Sequence, residues 1–98
     1  MKIPKSVSVL GKTYTVKHKT PPGRRKHYGS CESRHTTLYV SPKQSKCNKS
    51  DTLLHEILHA VSEEMQLGLK EHQVRLGATA LYAVLRDNPT LVAYLMVD

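Results

Sequence analysis

The chain contains no Trp, no Phe and only two Cys. The five Tyr and the aliphatic residues must therefore supply the bulk of any core. Cys31 and Cys47 are too few for the disulfide framework of a small secreted domain, and in a reducing compartment they stay two thiols. No stretch approaches the roughly 18 apolar residues of a membrane span. The opening segment, "MKIPKSVSVLG", lacks the apolar run of a signal peptide. A cytoplasmic protein with no membrane role is the expectation. Acidic residues are scarce as well: eight Asp and Glu stand against 15 Lys and Arg, a formal net charge of +7. That balance favours acidic partners such as nucleic acid or an acidic polypeptide, although a solvated basic face produces the same balance.

What is present fits one domain spanning residues 1–98. The first half reads as strands. "SVSVL" places Val7 and Val9 on one face, Gly11-Lys12 turns, and "TYTVKH" alternates, which together predict a β-hairpin. Residues 19–30, "KTPPGRRKHYGS", hold two Pro, two Gly and several basic side chains, the composition of an exposed loop. "TTLYV" (36–40) is rich in β-formers and is stopped by Ser41-Pro42.

The second half reads as helices. Ser50 or Asp51 is positioned to cap the first, whose apolar run starts at Leu53, and Gly68 is a natural terminator. A second helix is predicted over about 70–87, with Val74, Ala78, Leu81 and Leu85 on its buried face. Asn88 and Pro89 then open a short third helix over "TLVAYLM". The expected class is α+β: a small antiparallel sheet, made of a hairpin plus an edge strand, followed by three helices.

The chemistry lies in the first helix, in "LLHEILHAV". His55 and His59 are four residues apart, hence one turn apart on one helical face, where two imidazoles can reach one Zn²⁺. Glu56 lies about 100° around the helix from His55, unsuited as a further ligand of that pair but able to take a proton from a metal-activated water. This H-E-x-x-H spacing gives two ligands and a general base. The bland alternative is a pair of core-edge histidines satisfied by hydrogen bonds.

Two protein ligands are too few for a catalytic zinc, which usually has three and a water. Glu63, Glu64, Glu71, His72, His35 and the cysteines are the candidates. Glu63 and Glu64 continue the same straight helix and are expected to point away from the metal. Glu71 and His72 open the next helix, after the Gly68 turn. Measured from the face of Val74, Ala78, Leu81 and Leu85, Glu71 falls about 60° from the middle and His72 about 160°. Helical phase thus favours Glu71, while the sequence leaves both open.

"TLLHEILHAV", a glycine-containing turn, an acid opening a long helix and that helix's end, "LYAVLRDNP", resemble the small zincin-type metallopeptidases carried by phages and prophages. The upstream hairpin and the strand "HTTLYVSP" fit the same pattern, so the resemblance runs from about residue 7 to 90. It implies a minimal zincin-like fold and a gluzincin-type zinc peptidase, in the host cytoplasm if phage-encoded. Its ligands map to His55 and His59, its base to Glu56, and its Glu ligand to Glu71. It also implies that "TLYV" is the edge strand that holds a substrate backbone.

His35 and Tyr39, on or beside that strand, are candidates for oxyanion or substrate contacts. Tyr82 follows Glu71 on nearly the same side, but about 16 Å further along the axis, and reads as core. Cys31, His35 and Cys47 match no strong zinc pattern. Arg24, Arg25 and Lys26, with other lysines, form a candidate phosphate-contacting surface. The second function class is accordingly a non-catalytic nucleic-acid- or protein-binding module with a structural zinc.

Overall fold

The computed structural model describes residues 2–23 and 27–97, so the basic segment Arg24, Arg25 and Lys26 lies outside the described residues. Within them the chain order is β1 (Ser6–Val9), β2 (Lys12–Lys17), β3 (Gly29–Glu32), a 3-10 turn (Ser33–His35), β4 (Thr37–Val40), α1 (Lys46–Met65), α2 (Glu71–Asp87) and α3 (Pro89–Met96). The α+β class and the order of sheet before helices are as the sequence predicts. No described helix is long and apolar enough to cross a membrane.

Leu10 and Gly11 join β1 to β2 with φ of 52° and 84°, the two positive values that a two-residue type I′ hairpin turn requires. The turn therefore falls one residue earlier than Gly11-Lys12. The sheet order is β1-β2-β4-β3, and β2 pairs with β4 in parallel. The sheet is thus mixed rather than antiparallel, and "TLYV" is an inner strand rather than an edge. The edge beside the site is β3, in a stretch expected to be loop. Its sequence, "GSCE", has neither the β-branched residues nor the alternation that marks a strand. Pairing with β4 along Gly29↔Val40 to Glu32↔Thr37 makes it one.

β4 is buried along its whole length. Leu38 and Val40 join Val9, Tyr14, Val16 and Ala60 in the core, with Leu53, Ile57 and Val61 of α1 packed against it. Ser45, whose side chain accepts from Asn48 N at 3.2 Å, caps α1. The helix therefore begins about a turn and a half before Ser50 or Asp51, in a polar stretch with no apolar period. Of the face predicted for α2, Val74 and Ala78 are fully buried but Leu81 is 48% exposed. Helix α1 covers only a narrow stripe of α2, which leaves Leu81 beside it. Asn88 precedes Pro89 at the start of α3, and its side chain donates back to Val84 O at 2.8 Å instead of capping forward.

Tyr14, wholly buried, donates its hydroxyl to Glu64 Oε2 at 2.7 Å, and Lys12 Nζ lies 3.3 Å from the same oxygen. The hydrogen bond from Tyr14, then Lys12, hold the Glu64 carboxyl below its ordinary range. A lowered folded-state value means stabilisation that is present above the ordinary carboxylate range and lost as pH falls through the folded one. Tyr14→Phe should therefore lower the melting temperature at neutral pH, with the deficit narrowing toward acid. A deficit independent of pH would show that this bond is not its cause.

Candidate metal centre

Helix α1 has two working sides. Leu53, Ile57 and Ala60 face the sheet, while His55 and His59 stand on the side toward α2. Glu56 falls between them by helical phase, 5% exposed and under β3. Leu58 packs toward α2, its Cδ2 being 3.4 Å from where a Cβ on Gly77 would sit.

The chain must turn back for α2 to reach the histidines. Gln66 takes the left-handed conformation at the end of α1, and Gly68 follows at φ 65°. Ser62, buried, fastens the turn: its carbonyl accepts from Leu67 N at 2.9 Å and its hydroxyl from Leu69 N at 3.0 Å. Lys70 N donates to Gln73 Oε1 at 2.8 Å and starts α2. Glu71 is then the first helical residue and lies beside the α1 pair.

His55 Nε2 and His59 Nε2 are 3.2 Å apart. Glu71 Oε1 is 2.8 Å from the first and Oε2 is 2.8 Å from the second. One ligand atom from each residue lies within 4.8 Å of the others, so the three can hold a metal ion. His72, next to Glu71, is exposed and outside the group, as its helical phase predicts. These three form the candidate metal group among the described residues; Cys31, His35 and Cys47 form none.

The group opens into a cleft of about 560 Å³. Residues Tyr28 to Cys31 wall one side, α1 gives Asp51, Thr52, Glu56 and Glu63, and α2 gives Glu71 and Arg75. Glu63 is thus on the cleft wall rather than turned away, because it lies two turns beyond Glu56. Glu64 does point away, to Tyr14 and Lys12 on the sheet side.

His35 and Tyr39 do not line the cleft. His35 is exposed in the 3-10 turn. Tyr39 alternates with Leu38 and Val40 and so faces away from α1, where Lys17 Nζ and Lys19 Nζ lie 6.0 and 5.9 Å from its ring centre. Tyr82 is half-buried against Arg86, whose guanidinium is 5.4 Å from its ring, also outside the cleft. Cys31 is in the cleft wall, its thiol pushed up to about 12 by burial and then by the charges of Glu56 and Glu63. It is therefore a neutral thiol at pH 7. Cys31 and Cys47 are both free.

Gly29 is the residue that sequence reasoning missed most consequentially. A Cβ there would stand 2.5 Å from Thr52 Cγ2, 2.7 Å from Glu56 Oε2 and 3.0 Å from Tyr39 O. Only glycine lets β3 approach α1 closely enough to cover Glu56. Gln44 braces the same wall, accepting from Thr52 Oγ1 at 2.9 Å and donating to Tyr28 O at 3.3 Å. Gly29→Ala should cost about 1–3 kcal/mol of stability by overpacking, measured by chemical denaturation. It should also displace the Glu56 carboxylate. Unchanged stability would mean that α1 and β3 part without cost.

Comparison of the chain with protein-family models, with curated proteins and with solved structures returned no match. Function is therefore read from the site itself.

Proposed function

We propose that this protein is a zinc-dependent peptidase that hydrolyses peptide bonds with Glu56 as general base. The observation that carries the reading is the convergence of His55 Nε2, His59 Nε2 and the Glu71 carboxylate at the floor of an open cleft, with Glu56 buried beside them. Zinc bonds of about 2.0–2.2 Å in tetrahedral geometry place ligand atoms roughly 3.3–3.5 Å apart. The two Nε2 atoms are 3.2 Å apart, and each lies 2.8 Å from a different oxygen of Glu71, so a shift of roughly half an ångström opens the group to that spacing. Two imidazoles and a carboxylate are also a donor set that suits zinc.

A structural zinc site closes with four protein ligands, whereas catalytic sites keep three and an open position. The described group has three, which supports hydrolysis over a folding role. Zinc, when bound, supplies a Lewis acid that lowers the pKa of a water to about 7. The chain's own residues supply the rest. Glu56 would take the proton of the attacking water and pass it to the leaving amine. The Gly29–Glu32 edge, unpaired on its outer side among the described residues, offers backbone donors and acceptors to an extended polypeptide.

The test is proteolysis of an unfolded polypeptide by the purified chain. Cleavage should stop on removal of zinc by a chelator and return with about one equivalent of zinc per chain. Cleavage indifferent to the chelator, or no cleavage by protein fully loaded with zinc, would sink the peptidase reading.

A further inference from the structure

Arg75 and Glu63 lie toward opposite ends of the cleft. Asp51, His55, His59 and Glu63 recur every four residues along α1 and share its cleft side. Helix α2 runs antiparallel to α1 and carries Glu71, Arg75 and Thr79 at the same spacing. Two contacts fix the register: Glu71 meets His55 and His59, and Thr79 Oγ1 donates to Asp51 Oδ2 at 3.3 Å. Arg75 lies between these contacts, exposed and on the cleft wall. Glu63 sits toward the other end, one turn beyond His59.

Arg75 is the one Lys or Arg among the described cleft residues. Its guanidinium makes no hydrogen bond or ion pair with any described residue. Neither Glu71 nor Asp51 forms an ion pair with it. Both oxygens of Glu71 meet imidazoles. Asp51 gives Oδ2 to Thr79 and keeps Oδ1 buried without a hydrogen-bond partner, beyond ion-pair distance of Arg75. A guanidinium has five donors in a rigid fork that matches a carboxylate. Left unpaired beside the metal group, it is equipped to hold an anion carried by the same ligand.

The spacing sets where that anion sits. Four helical residues advance about 6 Å along the axis from Glu71 to Arg75. An extended peptide advances up to about 3.3–3.6 Å per residue. We propose that Arg75 binds a ligand carboxylate one or two residues from the group that meets the metal, and so selects polypeptides with an acid at that place. The carboxylate is either the chain's own C-terminus or an Asp or Glu side chain. Glu63, one turn beyond His59 toward the opposite end, repels it there, which favours one direction for the peptide. The proposal rests on the peptidase reading.

Calorimetric titration of the zinc-loaded full chain tests it with three succinyl hydroxamates. These end in alanine with a free carboxylate, in alaninamide, and in aspartic acid α-amide. At least one carboxylate probe should bind about tenfold tighter than alaninamide, and the one that does identifies the source of the charge. Arg75→Gln should erase that advantage while leaving zinc content and alaninamide affinity unchanged. Equal affinity of all three probes, or an advantage that survives Arg75→Gln, overturns the role of Arg75 and leaves the metal site standing. Failure of the chain to load zinc or to bind any probe overturns both.

Discussion

Glu56→Gln is expected to keep the zinc and to lose hydrolysis by about two to four orders of magnitude, the range general-base catalysis contributes elsewhere. Glu56 is 5% exposed and stands about 100° around α1 from His55, on the side that faces β3. The ligand group forms without it. Glutamine preserves the shape that fits under Gly29, where Glu56 Oε2 lies 2.7 Å from a would-be Cβ. What glutamine lacks is a basic oxygen to accept the proton. Zinc content and kcat should therefore separate, with the first unaltered and the second collapsing. Loss of the metal would mean that Glu56 is itself a ligand.

Glu71→Ala is expected to have the opposite pattern and to lose the metal. Both oxygens of Glu71 are 2.8 Å from a histidine Nε2, so its removal takes away one donor of three and leaves the imidazoles without their shared anion. Groups that merely orient metal ligands are worth about 10–100-fold in affinity. Loss of a ligand should exceed that range. His72→Ala serves as the control, because its ring is exposed and outside the group. Competition against a chelator of known affinity measures both. Equal losses from the two substitutions would mean that α2 is rotated by about 100° from its observed phase.

These expectations began in the sequence because helical geometry is local. A spacing of four decides the common face of His55 and His59, and the positions of Glu71 and His72 relative to Val74 and Ala78 decide which of the two turns toward α1. The sheet obeyed no such local rule. β4 lies between β2 and β3, a pairing set by contacts across the chain, and its four buried residues then read as an edge only by analogy. Strand β3 was illegible because "GSCE" is a strand through its partner and not its propensity. With the edge misplaced, the sequence points to His35 and Tyr39 as site contacts and passes over Tyr28 and Gly29. Gly29, the first residue of β3, leaves no local signal, because its meaning depends on Thr52 and Glu56 opposite. Arg75 left none. An exposed arginine on a helix is ordinary until the α1–α2 register puts it between Asp51 and Glu71.

The most direct measurement is crystallographic: anomalous scattering at the zinc edge from crystals of the zinc-loaded chain. One peak is expected about 2.0–2.2 Å from His55 Nε2, His59 Nε2 and a carboxylate oxygen of Glu71, with Glu56 close by but not bound. A peak coordinated by Glu56 or by a fourth protein side chain, or no peak between these three residues, would contradict a catalytic zinc centre.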